Sequence, residues 1–310
     1  MKLYKFEIKI KSAFATIPKG DTFFGQFCWQ IVQNFGSDKL DEFLTDYKTN
    51  PFAIISDILP QNSIKKPQIS NSLFGIEFDP TKRKEIKAKN IIKIEDLKKN
   101  NFIYDKSFIE NFTHFEKSFS WLESIVVRNS INRLTSTTDK GFDPFANHRY
   151  DFKEIDATFY LLKDDRLSID KAKMLFEQIG KTGFGKDATI GRGKFEIVNV
   201  EEFTFDCSDS NALITLSPSI LSKQGFEKAW YEVFTRYGKH GNYLAHSLVW
   251  KNPILMADSF ALIKSPSKLY IGQALGGDGT ISKSMKKTIH QGYAITIPIK
   301  LEVKNETVSA

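Results

Sequence analysis

The sequence is poor in cysteine and contains no long apolar run. Its 310 residues include two cysteines, Cys28 and Cys207, which excludes a disulfide framework and a cysteine-only metal site. No segment approaches the roughly 20 consecutive apolar residues that a membrane-spanning helix needs. The N-terminal residues alternate between apolar and charged side chains, a pattern that does not predict a signal peptide. We therefore expect a cytoplasmic protein without a membrane partner.

Residues typical of catalytic and metal centres are also scarce. The five histidines show no metal-ligand spacing. No pair of carboxylates stands out, and the sequence shows neither a GxSxG motif nor a Cys-His arrangement. We therefore expect no cofactor, no metal and no enzymatic activity.

Arginine is rare, although the chain is basic. Seven of the 44 basic residues are arginine, and the formal net charge is +7. This charge permits a nucleic-acid partner without requiring one. Because lysine supplies most of the positive charge, each arginine indicates a place where a planar, forked guanidinium is needed.

The first 200 residues carry a recognisable order of elements. Alternation predicts a strand over residues 4–10, and Asp21 is a candidate N-cap for a helix that ends at Gly36. Further on, the patterns predict two strands, a helix and a last strand, at residues 121–128, 152–162, 172–180 and 195–200. The order β-α-β-β-α-β predicts a ferredoxin-like, RRM-like domain over residues 1–200, with a long insertion at about 37–120. The basic run at 82–99 fits either a solvated face or an RNA-contacting part of that insertion.

Residues 201–310 predict a second, smaller α+β domain. Strands are expected at 212–216, 254–263 and 293–303, and a helix at 226–237. Pro298 falls inside the last strand, which indicates an edge position or a bulge. The predicted fold class is α+β, with two ferredoxin-like domains.

The sharpest motif is the glycine loop, residues 180–193, with five glycines in fourteen residues. Glycines allow a backbone to approach a ligand closely, and backbone N–H groups beside basic side chains suit phosphates. A P-loop is excluded because a helix precedes the loop and Asp187 replaces the magnesium-binding hydroxyl residue. The candidate RNA-binding residues here are Gly183, Phe184, Gly185, Lys186, Gly191, Arg192 and Gly193.

Two more segments are rich in groups that bind phosphates or bases. Residues 128–138 combine two arginines, two asparagines and five hydroxyl residues, so we expect Arg128, Asn129 and Arg133 to contact RNA, although a plain surface hairpin fits as well. A second glycine-rich turn at 276–279 precedes a basic cluster. That cluster either follows an RNA backbone, through Lys286, His290 and Tyr293, or is a solvated edge.

These residues resemble the RAMP superfamily of CRISPR proteins, and within it the family of fourth Csm subunits of type III-A effector complexes, in the Cas five group. Four segments carry the resemblance, in order along the chain: the first-helix motif, the segment leading into a thumb-like loop, the glycine loop and the C-terminal strand, at residues 18–29, 128–133, 183–193 and 290–298. The glycine loop marks the superfamily, and the first and last segments point to this subunit.

The resemblance implies a hetero-oligomeric role. Such subunits cap one end of the complex, bind the 5′ repeat-derived tag of the crRNA, and join the large Cas ten subunit to the backbone subunit. They are not nucleases, whereas backbone subunits cleave target RNA with an Asp after their first strand. Residues 12–17, the corresponding loop here, contain no acid, which agrees with a non-catalytic role.

Two alternatives stay open at this point. Related RAMP proteins process crRNA with His, Tyr or Lys as acid and base, and His290, Tyr293 and Lys287 are the best trio for an endoribonuclease. A protein scaffold that does not bind RNA is the third possibility.

Overall fold

The computed structural model describes residues 1–77, 80–111, 114–117, 122–138, 141–151, 156–222, 225–241 and 249–303. The helices are α1 (Gly20–Phe35), α2 (Ser37–Leu44), α3 (Arg83–Ala88), α4 (Ile94–Lys99), α5 (Lys106–Glu110) and α6 (Ile169–Thr182). The first strands are β1 (Lys2–Ile10), β2 (Ala53–Ile55), β3 (Leu59–Pro60), β4 (Ser63–Lys65), β5 (Lys89–Lys93), β6 (Ile103–Tyr104), β7 (Phe115–Lys117), β8 (Leu122–Arg128), β9 (Phe145–Asp151), β10 (Asp156–Lys163) and β11 (Phe195–Glu202). The remaining strands are β12 (Ala212–Thr215), β13 (Lys228–Trp230), β14 (Val233–Arg236), β15 (Ile254–Ala257), β16 (Leu262–Lys264), β17 (Tyr270–Gly272), β18 (Leu275–Gly276), β19 (Ile289–His290) and β20 (Tyr293–Leu301).

The first sheet is antiparallel, with strand order β11-β1-β10-β2, and β3 also pairs with β10. Helices α1 and α6 pack against one face of it through aromatic rings. Phe6 of β1 stacks on Phe159 of β10 at 4.7 Å between centroids, and Phe176 of α6 contacts Phe6 at 5.2 Å and Phe27 of α1 at 4.5 Å. The predicted mixed α+β architecture is confirmed.

One strand predicted for this sheet lies elsewhere. Residues 122–128 do form a strand, but β8 pairs with β9 in a separate hairpin. The ferredoxin-like order predicts the strand at 121–128 at the edge of the first sheet. That edge is formed instead by β2 and β3, which lie in the range 37–120 that was predicted to be an insertion. Strands of three and two residues are too short to show a period, so sequence patterns do not reveal them.

Within the described part of the rest of the insertion, three strands form a small sheet of their own in the order β4-β5-β7, and the short helices α2 to α5 and strand β6 are further elements there. The basic run at 82–99 is ordered as α3, β5 and α4 within this region. Strand β6 pairs in parallel with β20 and so ties the insertion to the C-terminal half of the chain.

The second sheet has the order β13-β16-β12-β20-β17. Its buried residues, among them Ile214, Ile297 and Ile299, belong to the same hydrophobic cluster as Phe6 and Phe159 of the first sheet. Pro298 lies opposite Leu213 of β12. On the other side of β20, β17 pairs as far as Ile295 and β6 begins at Lys300, so among the described strands none pairs there at Pro298, in line with the predicted edge position.

The helix predicted over residues 226–237 is wrong. The chain forms β13 and β14 there, in two different sheets. The apolar spacing fitted a helix, but Trp230, Tyr231, Val233 and Phe234 are residue types that favour strands, and pairing with β15 and β16 decides between the two. The strand predicted over 254–263 is likewise divided into β15 and β16.

A buried amide joins the two sheets. Ile55 of β2 points its N–H and C=O away from β10, and the side chain of Gln291 accepts from the N–H at 3.0 Å and donates to the C=O at 2.8 Å. Gln291 is fully buried, so both Ile55 groups depend on it for a partner. None of the helices in the described residues is long and apolar enough to cross a membrane.

Replacing Gln291 by Leu should lower the free energy of unfolding by about 2–4 kcal/mol, because it leaves two buried backbone groups without partners. Chemical denaturation measures the loss. Gln178→Leu is the matched control, since Gln178 bonds only Asn34 at the helix surface, and a change below about 0.5 kcal/mol is expected. Equal losses in both variants would contradict this role for Gln291.

Candidate nucleic-acid interface

The glycine loop folds back on itself between α6 and β11. Phe184 N–H donates to Gly193 C=O at 3.0 Å, which closes the part of the loop outside α6. A Cβ on Gly183 would lie 2.2 Å from Arg192 O, and a Cβ on Gly193 would lie 2.3 Å from Phe184 O. Both glycines also have positive φ, +97° and +69°, so these crossing points need glycine. The helix-loop-strand order that excludes a P-loop is confirmed.

The backbone of the loop is used mainly to fold the loop. The N–H groups of Phe184, Gly191, Arg192 and Gly193 donate to Gly193, Ala188, Asp187 and Ala13 carbonyls. Gly183 N–H donates to Ile179 O at the end of α6. These N–H groups already have partners within the fold, because a tight loop satisfies its own donors. The polar side chains of the loop are therefore the groups to consider for ligand contacts.

Phe184 is a correction to the candidate list. Its ring is 2% exposed and contacts the rings of Phe14 and Phe23 in the core. It anchors the loop to the sheet and to α1, and the ring is not available to stack on a base.

Residues 12–16, between β1 and α1, hold the loop and the hairpin together. Phe14 exchanges two backbone hydrogen bonds with Tyr150 of β9, at 2.9 and 2.8 Å. Ala13 O accepts from Gly193 N–H at 2.9 Å, and Ser12 Oγ accepts from Lys194 N–H at 2.9 Å. Thr16 lies against Gly185, and its Oγ1 accepts from Lys186 N–H at 3.4 Å. This segment fixes the hairpin beside the glycine loop.

The β8–β9 hairpin turns one face to the glycine loop. Arg128 pairs with Phe145 and Val126 pairs with Asn147, so Arg128 and Asn147 lie on the same face of the hairpin. Asn147 is 4% exposed. Sequence patterns gave no signal for Asn147, because its role depends on contacts with a loop 40 residues away.

Four side chains from these elements form what we call the cradle: Arg128, Asn147, Lys186 and Arg192 around Asp187. Asp187 Oδ2 lies 3.5 Å from an Arg128 nitrogen, 3.5 Å from Asn147 Nδ2 and 4.0 Å from Arg192 Nε. Lys186 Nζ donates to Asn147 Oδ1 at 2.7 Å, which orients the Asn147 amide. The structure thus brings together three predicted residues, Arg128, Lys186 and Arg192.

The hairpin tip carries the other two predicted residues in exposed positions. Asn129 follows β8, and Arg133 lies in a turn that Asn132 closes by accepting from Leu134 N–H through its side chain. Large apolar side chains are exposed on the hairpin and its connecting turn, at Ile125, Val127, Ile131, Leu134 and Phe145. Leu134 is 95% exposed. Such a cluster on a two-stranded hairpin is typical of a surface that is covered in a complex.

The third set of candidate RNA-binding residues, Lys286, His290 and Tyr293, lies outside this interface. Tyr293 is buried and donates from its hydroxyl to Lys48 O at 2.6 Å. His290 is buried beside Asp21, with Nε2 3.4 Å from Oδ2. Lys286 is exposed, in the turn that contains Gly279. His290 and Tyr293 fill core positions, where His290 lies against Asp21 of α1 and Tyr293 bonds the segment after α2, so neither side chain faces the cradle.

The positions of His290, Tyr293 and Lys287 do not support the endoribonuclease alternative. His290 and Tyr293 are enclosed, and Lys287 Nζ pairs with Asp41 of α2 at 2.6 Å, so the three groups do not face one open site. In the described residues no group of three or more His, Cys, Asp or Glu side chains is placed to hold a metal ion.

Asp21 does not cap α1. The carboxylate is fully buried and accepts two hydrogen bonds from Arg236 of β14, at 2.6 and 2.8 Å. Burial opposes ionisation, but the adjacent His290 ring and Arg236 guanidinium outweigh it and hold the pKa of Asp21 well below its usual value. The sequence could not show this, because Arg236 lies 215 positions away.

The capping carboxylate is Asp57 instead. Its Oδ1 accepts from Gly20 N–H at 2.7 Å and its Oδ2 accepts from Ser259 Oγ at 2.5 Å. Burial raises the pKa of Asp57 to about 7, although Lys19, Ser259 and Gly20 favour the charged form. Asp57 also lines a cavity of about 320 Å³ where the first sheet, the insertion and the C-terminal half meet.

Wild-type stability should fall as the pH rises from about 4 to about 7, because folded Asp57 binds its proton more tightly than unfolded Asp57 does. Asp57→Asn should remove that contribution, of about 2–4 kcal/mol between pH 5 and pH 8. The measurement is urea unfolding at both pH values. Asp96→Asn, at a half-buried surface position of α4, should leave the wild-type slope unchanged, and an unaltered slope in Asp57→Asn would contradict the assignment.

Known structures share this architecture. No protein-family model matches the chain, and no curated protein sequence does. The chain superposes on a chain of a Csm1-Csm4 cassette in complex with cA4, with TM-score 0.60 and 15% identity over 97% of this chain and 100% of that one. It also superposes on a chain of a Csm3-Csm4 subcomplex in the type III-A CRISPR-Cas interference complex, with TM-score 0.58 and 17% identity over 97% and 100%. A Csm1-Csm4 cassette in complex with pppApA gives TM-score 0.58 and 14% identity over 97% and 99%. The resemblance indicated by the sequence motifs is thus confirmed at the level of the fold, along almost the whole chain.

Proposed function

We propose that this protein is a non-catalytic subunit of a type III-A CRISPR-Cas (Csm) interference complex, in the position of Csm4, and acts in antiviral defence. One observation carries the proposal. The chain matches full-length chains in two kinds of complex, Csm1-Csm4 and Csm3-Csm4, and Csm4 is the subunit that both names share.

The proposed ligand is the 5′ repeat-derived tag of the crRNA. Arg128, Lys186 and Arg192 concentrate positive charge in the cradle, Arg133 adds a further charge at the hairpin tip, and Asn129 adds a neutral hydrogen-bonding amide. Single-stranded RNA is bound by basic grooves with groups that hydrogen-bond splayed bases. The proposed RNA path runs between the glycine loop and the hairpin, at the edge of the first sheet, and the basic side chains of the cradle support it.

We also propose that the first half of the chain is a ferredoxin-like domain. Its strand order β11-β1-β10-β2 with α1 and α6 on one face matches that topology. The second half contributes its own antiparallel sheet around β12 and β20, but its described residues after 202 are strands and turns and do not match the two-helix order of the predicted second ferredoxin-like domain.

A bridging role fits the exposed surfaces. The resemblance implies a place between the large Cas ten subunit and the backbone subunit, and the similar structures each pair Csm4 with one partner, Csm1 or Csm3. This chain exposes apolar side chains on two separate ribbons, β8–β9 and β14–β15, including Leu134 and Leu255. Two such surfaces allow two protein neighbours.

The chain should bind RNA bearing the 5′ tag without cutting it. Arg192→Ala and Arg133→Ala should each weaken binding and reduce the slope of log affinity against log salt by about 0.7, the value for one phosphate contact on a single strand. Fluorescence anisotropy over a salt series gives the affinity, and a denaturing gel shows whether the RNA stays intact.

Lys173→Ala, an equal loss of charge on the exposed side of α6, is the matched control and should leave the slope unchanged. A scrambled tag should bind more weakly. A discrete cut within the repeat would make the protein a processing nuclease, and salt-independent or absent RNA binding by the chain and by its assembled complex would refute the RNA-binding role.

The chain should also form a complex with both neighbours at once. Mixed with a large Cas ten subunit and a backbone subunit, it should elute with both in size-exclusion chromatography, whereas those two alone should not co-elute. Leu134→Asp should weaken assembly without lowering the stability of the free chain, because Leu134 has almost no internal contacts. Co-elution of the two partners without the chain would contradict the bridging role.

A further inference from the structure

Asp187 has an unusual position within the glycine loop. It is the one acid among residues 180–193, and its φ of +64° is in the left-handed region, which disfavours most side chains. Aspartate is one of the few residues other than glycine that adopt this region. Its carboxylate is directed into the cradle, with 18% of the side chain exposed.

The contacts of Asp187 are convergent but long. Donors of Arg128, Asn147 and Arg192 all surround a single oxygen, Oδ2, at 3.5, 3.5 and 4.0 Å. Charge-assisted hydrogen bonds between guanidinium and carboxylate are usually about 2.7–2.9 Å. The Asp187 carboxylate therefore balances part of the positive charge of the cradle. It does not form hydrogen bonds of the usual length with the donors of the cradle.

A second observation shows that the cradle is incomplete. Arg192 is 9% exposed, and its NH1 is buried without a hydrogen-bond partner. A buried, unpaired guanidinium nitrogen is costly, and the neighbouring Asp187 carboxylate does not reach it. An anion with more oxygens, arranged tetrahedrally, could accept from Arg128, Asn147 and Arg192 together.

We infer that the Asp187 carboxylate takes the place of an RNA phosphate in the free protein and leaves the cradle when RNA binds. This inference rests on the proposed RNA-binding role and adds a built-in competitor to it. Asp187 Oδ2 lies between the two arginines, while Lys186 orients the Asn147 amide through its 2.7 Å hydrogen bond.

The charges explain what such a competitor does. Arg128, Lys186 and Arg192 contribute three positive charges and Asp187 removes one, which leaves a net charge of +2 in the free cradle. A single phosphate ion must displace the carboxylate with its own contacts alone. An RNA strand also contacts Asn129 and Arg133, and these contacts offset the free-energy cost of displacing the Asp187 carboxylate. The carboxylate therefore weakens the binding of isolated phosphate more than the binding of RNA.

Asp187→Asn provides the test, because asparagine tolerates the left-handed region and keeps the size of the side chain. Binding of inorganic phosphate to the full chain, followed by the rise in melting temperature over a phosphate series, should become about tenfold tighter, as expected for removing one like charge a few ångströms away. Affinity for tagged RNA should rise as well, by a smaller factor.

Glu202→Gln is the matched control, with the same change in net charge at the far end of β11, where Glu202 pairs with Lys2. It should leave phosphate affinity unchanged, and Asp187→Asn combined with Arg192→Ala should lose the gain. Unchanged or weaker phosphate binding in Asp187→Asn would overturn the inference and make Asp187 an organiser of the arginines. Tighter phosphate binding in a chain that binds no tagged RNA would support the competitor and refute the proposed function instead.

Discussion

The interface depends on one constraint: the backbone groups of residues 12–16 need partners, and they find them on two separate elements. Phe14 pairs with Tyr150 of the hairpin, while Ala13 accepts from Gly193 of the glycine loop. Because Phe14 is itself fully buried against Phe184, the segment cannot shift without disturbing the core. The distance between Arg128 on the hairpin and Arg192 in the loop is therefore set by the packing of aromatic rings beneath them.

Charge is arranged differently on the outer face of the first sheet. There Lys5 pairs with Glu7 at 2.6 Å and with Glu201 at 3.3 Å, and similar pairs follow along β1 and β11. Tyr160, on the neighbouring strand, is buried and donates to Asn62 of the insertion. This face is thus covered by an insertion and carries paired charges, whereas in the cradle three basic side chains surround the one carboxylate of Asp187.

The sequence correctly predicts those elements that depend on residues close together in the chain. The alternation of β1, the helix at 172–180 and the glycine loop are encoded within a few residues, and all three are present. Contacts between distant segments decided the rest. Asp21 has the sequence position of a helix cap, but its carboxylate pairs with Arg236. Residues 226–237 form strands because they pair with β15 and β16. In the site, the arginines were visible because arginine is rare, whereas Asn147 was not, since a buried amide in a strand has no sequence signature.

The side chain of Gln291 has a further consequence outside the stability of the fold. A strand edge keeps unpaired N–H and C=O groups unless another strand or a side chain occupies them. By occupying both groups of Ile55 inside the core, one amide side chain takes the place of a further strand beside β2 at that point. The first sheet can therefore end at a strand of three residues, and Gln291 sets the width of that sheet.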